Sequence, residues 1–208
     1  LLHLFRVEVE MGGAAPKSGP VLLAANHISW LDILLLLAAA PVRFVARIEN
    51  KHWPILGRMT RQAGAVFVAR QSPRDMARAI DEVSASLANN AAIIAFFPEG
   101  KTSSGMGVEA FHGNLLQAAI AANCPVQAVA LDYRLRATGE RSSAVTYASP
   151  LSLLQSLLNT LAAGPYTAEV RFATPIPSCG QTRKHLAAQL RQQVMVLRGD
   201  IAATSTPI

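Results

Sequence analysis

The chain has 208 residues, 51% of them hydrophobic, and a formal net charge of +6. That length suits one domain with a full core, and the composition excludes disorder as the default state. Its two cysteines, Cys124 and Cys179, exclude a disulfide framework and fit a reducing compartment.

In chain order, residues 6 to 10 alternate polar and apolar like a half-buried edge strand, and a turn-rich stretch follows to Pro20. Residues 21 to 25 read as a buried strand. Ser29 is the expected N-cap of a helix over 33–40. Residues 42 to 46 form a second short strand, and Trp53-Pro54 opens a helix to about Ala63. Gly64 punctuates before a strand over 65–68 that runs toward Arg70. Ser72-Pro73 has cap and first-turn chemistry for a helix to about Asn89. Residues 92 to 97 are a continuous apolar strand, and a glycine-rich loop covers 100 to 113. A helix over 115–122, a strand over 125–133, a helix over 151–162, a strand over 167–172 and a closing helix over 182–197 complete the chain. Cys124 borders an apolar strand and reads as a packed core thiol. Strands alternating with helices predict a single α/β domain over 1–208 with a mostly parallel central sheet flanked by helices.

Sites in such sheets lie at the carboxyl ends of strands. His27, Arg70 and Glu99 each follow a predicted strand. His27 and Asp32 also form an H-x4-D pair. Five residues along an ideal helix rotate by roughly 500°, which leaves the two side chains about 140° apart. They converge only if His27 lies in the turn before a helix and Asp32 in its first turn. A histidine held by a carboxylate is the usual device for taking a proton from a hydroxyl near neutral pH.

Other motifs fail their structural context. Gly100-Lys101-Thr102 mimics the end of a phosphate loop, but the first glycine of that motif falls on Ala95 inside a strand. No nucleophile elbow occurs, and the five histidines are scattered without metal-ligand spacing, so no metal site is expected. Between positions 43 and 78 the charged residues are Arg43, Arg47, Lys51, Arg58, Arg61, Arg70, Arg74 and Arg78 against Glu49 and Asp75. Such a stretch suits anionic lipid headgroups. Nucleic acid is disfavoured by the lack of aromatic interleaving and of a reading motif. The helix carrying Trp53, Ile55, Leu56, Arg58, Met59 and Arg61 is the expected interfacial segment. The best apolar run, 33 to 42, is about half of the ~20 residues needed to span a bilayer. The chain starts at Leu1 rather than Met, which leaves room for a preceding membrane anchor.

Asn26-His27-Ile28-Ser29-Trp30-Leu31-Asp32 and Phe97-Pro98-Glu99-Gly100 resemble the first and third motifs of the glycerolipid acyltransferases of the 1-acylglycerol-3-phosphate acyltransferase type. Residues 64 to 70, ending in Arg70, resemble the second motif, and residues 124 to 130 the fourth. The resemblance covers roughly residues 5 to 198. Two positions depart from the phosphatidate-forming pattern. Lys101-Thr102-Ser103 replaces Thr-Arg-Ser, and Ala128 replaces a proline. Both departures resemble the bacterial lyso-ornithine-lipid acyltransferases, whose acceptor has no phosphate.

The resemblance implies that His27 is the base and Asp32 its partner. It implies that Arg70, Glu99, Gly100, Lys101, Thr102 and Ser103 bind substrate, with no cofactor beyond an acyl carrier protein or coenzyme A thioester as co-substrate. Glu99, taken as exposed, is expected to orient the acceptor or Arg70 rather than to abstract a proton. Backbone N–H groups at Ile28 or near Gly100 are the expected oxyanion donors. The implied reaction converts a lysolipid, 1-acylglycerol-3-phosphate or lyso-ornithine lipid, to a two-chain lipid. The implied location is the cytoplasmic face of the inner membrane. A non-catalytic lipid-binding module and a thioester or lipid hydrolase remain the alternatives.

Overall fold

The computed structural model describes residues 2–48, 56–62, 64–69, 72–90, 92–147 and 152–202. Arg70, Trp53 and Ile55, expected to bind substrate or membrane, lie outside the described residues. Arg58 and Arg61 of the expected interfacial helix are described and exposed.

Seven strands form one sheet in the order β1-β7-β6-β2-β5-β3-β4. They are β1 (Val7–Gly12), β2 (Val21–Ala25), β3 (Val42–Arg47), β4 (Val66–Val68), β5 (Ile93–Phe96), β6 (Val126–Leu135) and β7 (Tyr166–Phe172). Strands β6, β2, β5, β3 and β4 run parallel. Strand β7 is antiparallel to β6, and edge strand β1 is parallel to β7. The sheet is therefore mostly parallel, as expected, with a reversed pair at one edge.

The helices are α1 (Leu31–Ala39), α2 (Leu56–Gln62), α3 (Pro73–Asn90), α4 (Leu116–Ala121), α5 (Leu153–Ala163) and α6 (Arg183–Leu197). Short 3-10 turns at Leu2–Phe5 and Ser143–Val145 were not expected. Helices α1 and α5 and the N-terminal turn cover one face of the sheet, around Leu23, Ala25, Ala95, Val129 and Leu131. Helices α3, α4 and α6 cover the other, around Leu22, Ala24, Ile94, Ala128 and Ala130. Successive residues of β2 thus feed opposite layers, as the period of two requires, and an unbroken apolar run suits a strand buried on both sides.

Local signals hold where their chemistry is complete. Ser72 and Asp75 exchange hydrogen bonds at the start of α3, and Thr182 Oγ1 accepts from His185 N at the start of α6. Ser29 is not the N-cap of α1. The helix starts two residues earlier than expected, at Leu31 with Trp30 at the cap position, and Ser29 Oγ instead accepts from Leu31 N. Cys124 is buried, and burial pushes its thiol up to about 11.

Candidate active site

The loop after β2 is fixed first by Asn26. Its buried side chain donates to Leu131 O and accepts from Leu131 N, continuing the β2–β6 ladder for one residue. His27 follows in the turn before α1, and Asp32 is the second residue of that helix, as the spacing argument requires. His27 Nδ1 lies 2.8 Å from Asp32 Oδ2. Ile28 N and Ser29 N donate to the same oxygen at 2.7 and 3.0 Å. Asp32 has no solvent exposure, so protein donors and the helix start replace water around its carboxylate. The His27 ring stacks on Phe97 at 3.8 Å between centroids. With Nδ1 tied to the carboxylate, Nε2 is the nitrogen left unengaged among the described residues.

Tyr133 supplies the fourth donor. Its hydroxyl donates to Asp32 Oδ1 at 2.6 Å. Along β6, Val129, Leu131 and Tyr133 face the α1 layer, so the strand's period of two aims this phenol at Asp32 from 101 residues away. Burial and the neighbouring carboxylate push the Tyr133 hydroxyl well above its ordinary value, which keeps it a donor. Tyr133→Phe leaves Asp32 Oδ1 buried without this bond. The expected cost is about 2 kcal/mol of folding stability, the range for a hydrogen bond to a charged group, read by urea denaturation.

Glu99 corrects an expectation. It is buried rather than exposed, and its carboxylate is turned onto the backbone. His27 N donates to Oε2 and Glu109 N to Oε1, each at 3.2 Å. Burial raises the carboxyl to about 7, against the smaller lowering effect of those two N–H bonds. The folded chain therefore holds a proton between about pH 4.5 and about pH 7 that the unfolded chain releases. Stability falls as pH rises through that window and levels off above it. Glu99→Gln should flatten this slope in denaturation curves collected from pH 5 to 8 (about three units).

The rest of the motif loop is also engaged internally. Ser103 N and Oγ both donate to His27 O, at 2.7 and 3.0 Å. Thr102 Oγ1 donates to Tyr147 O, and Tyr147 N donates to Ile28 O. Of the expected oxyanion donors, Gly100 N donates to Phe97 O and Ile28 N is committed to Asp32. Lys101 is exposed. Phe97 to Lys101 border a groove of about 390 Å³ that is also lined by Met76, His112 and Leu115.

Arg198, at the end of α6, was invisible to the sequence reading. Its buried guanidinium donates to Gly105 O at 2.5 Å and pairs with Asp200 and Asp132. Arg141 bridges the same two carboxylates at 2.6 and 2.8 Å. Gly105 has a φ of +76°, and an added Cβ would lie 3.0 Å from Ile28, so the loop is pressed against the His27 turn where only glycine fits well.

The sequence and the fold also have known relatives. The family model described as Acyltransferase matches residues 6–132. A lyso-ornithine lipid O-acyltransferase of Pseudomonas aeruginosa is 36% identical over 200 residues, covering 96% of this chain and 76% of that protein. A 1-acyl-sn-glycerol-3-phosphate acyltransferase of Neisseria meningitidis serogroup B is 43% identical over 149 residues, covering 71% of this chain and 58% of that one. The crystal structure of the 1-acyl-sn-glycerophosphate (LPA) acyltransferase from Thermotoga maritima superposes with a TM-score of 0.62 at 22% identity. It covers 96% of this chain and 74% of that one, a likeness of fold.

Proposed function

The chain belongs to the acyltransferase family, and on that footing we propose that it moves a fatty acyl group from a thioester to the free hydroxyl of a lysolipid. The observation that carries this reading is the His27–Asp32 pair, with Nδ1 held 2.8 Å from a buried carboxylate and Nε2 left unengaged. His27 Nε2 takes the proton of the acceptor hydroxyl. The resulting alkoxide forms the new ester bond at the thioester carbonyl. The C–S bond breaks, and the thiolate leaves with the proton from His27. Asp32 fixes the tautomer and stabilises the imidazolium, and a base positioned in this way supplies about 10²–10⁴-fold. Glu99, Ser103 and Tyr133 act as positioning residues, since each bonds His27 or Asp32 from within the protein.

Acyl carrier protein or coenzyme A delivers the acyl chain as co-substrate, with no further cofactor. Arg70 holds the acceptor's anionic group. The acceptor and product are bilayer lipids, so the enzyme works as a peripheral protein at the cytoplasmic face of the inner membrane. No described helix is long and apolar enough to cross a membrane.

Lyso-ornithine lipid is the acceptor we favour. The matching relatives that span nearly the whole chain carry that name, and the Thr102 hydroxyl is spent on Tyr147 O rather than offered to a phosphate. Lysophosphatidate is the second reading, favoured by the 43% identity to the Neisseria enzyme and by exposed Lys101. Competition between the two acceptors in mixed vesicles separates them. A kcat/KM preference of more than about tenfold for lyso-ornithine lipid is expected. A preference for lysophosphatidate would move the assignment to phosphatidate synthesis.

A further inference from the structure

Helix α5 carries leucines on both of its sides, Leu153 and Leu157 half-buried against the core and three others turned outward. Its buried side carries Ser156 and Thr160, both fully covered, with hydroxyls donating to Thr146 O and Ser156 O. Its outer side carries Leu154, Leu158 and Leu161, which are 65%, 57% and 42% exposed. These leucines recur at i, i+4 and i+7, so they form one stripe along 11 residues that contain no charge. Leu4 and Met106 are also strongly exposed, at 67% and 53%.

All three segments converge on the loop that carries His27. Phe5, next to Leu4, packs edge-on against Trp30 at 4.9 Å. Gly105, next to Met106, lies against Ile28. The N-terminal half of α5 hangs on Thr146, whose neighbour Tyr147 donates to Ile28 O at 3.1 Å. Exposed apolar side chains grouped on segments that share one anchor mark an interaction site. Within these segments the charge has one sign, and exposed Glu8 just beyond the first of them is paired with Arg136 at 2.8 Å. Residues 2–6, 101–107 and 152–164 contain Arg6 and Lys101, both exposed, and not one aspartate or glutamate.

We propose that the outer leucine stripe of α5, with Leu4 and Met106, is the face that seats this protein on an anionic bilayer. Resting on the lysolipid reading above, it places the His27 loop against the lipid surface that holds the acceptor. The leucines enter the boundary between headgroups and acyl chains, while Arg6 and Lys101 meet headgroup phosphates. A second copy of the chain fits less well, because two such faces would bring Arg6 and Lys101 of both copies together.

The test is flotation of the full chain with phosphatidylcholine vesicles containing phosphatidylglycerol, parent against Leu154→Ser/Leu158→Ser. Both leucines are exposed, so the fold should survive. Vesicle partition should fall by at least about tenfold, and added salt should weaken parent binding. Turnover of detergent-dispersed lysolipid should stay unchanged, and this arm reads acyl transfer independently of docking. Unaltered flotation of the double variant would overturn the docking face even if turnover is normal. A parent dimer that the double variant dissolves, with flotation unaltered, would assign the stripe to self-association instead.

Discussion

His27→Ala should lower kcat by about 10²–10⁴-fold, the contribution of a positioned general base, while folding stability falls by only about 2 kcal/mol for the lost bond to Asp32. The imidazole stacks on Phe97 and meets Asp32, but the turn that carries it is held by backbone groups: Ser103 N and Oγ on His27 O, and Glu99 on His27 N. Alanine keeps every one of those bonds. Steady-state thioester turnover and urea denaturation on the same preparation separate the two effects. An alanine variant within a few-fold of the parent would remove His27 from the chemistry.

Asp32→Asn should be worse in a second dimension. The carboxylate accepts from Ile28 N, Ser29 N, His27 Nδ1 and Tyr133 Oη. An amide has one acceptor end. Either its NH2 group meets the two backbone donors and the ring nitrogen, or it meets the Tyr133 hydroxyl. In the first case two buried N–H groups are orphaned. In the second the phenol must turn its proton elsewhere, and in both the imidazolium loses its counter-charge. Activity should fall by about 10²–10⁴-fold, as for loss of the base itself, because residues that act as a unit are not additive. Stability should fall by about 3 kcal/mol, since hydrogen bonds to a charged acceptor contribute about 1.5–3 kcal/mol each. The double variant with His27→Ala should be barely slower than either single variant. Multiplicative losses would mean that the two side chains act separately.

Much of this was legible because its causes are local. The apolar runs at Val21–Ala25 and Ile93–Phe96 stand in the chain as they stand in the sheet. The H-x4-D spacing forced a turn before a helix start, and that is where His27 and Asp32 sit. The rest depends on pairing across long separations. Nothing near Tyr133 announces Asp32, and nothing near Arg198 announces Gly105. Glu99 read as exposed because a carboxylate in a glycine-rich loop ordinarily is. Its burial comes from two backbone N–H groups, one of them 72 residues away. Five leucines of α5 span more than one face, and the period alone does not say that Leu153 and Leu157 go inward while Leu154, Leu158 and Leu161 stay out. The reversal of β7 is a matter of topology that strand composition does not encode.

Acceptor dependence of thiol release tests the central claim most directly. Acyl carrier protein and coenzyme A thioesters would be supplied with and without lysolipid in vesicles, and thiol, new ester and free fatty acid followed together. Acyl transfer through His27 predicts thiol release that requires lysolipid, matches new ester one for one and is lost in His27→Ala. Equal release without lysolipid, with free fatty acid as the product, would contradict it and make the protein a hydrolase.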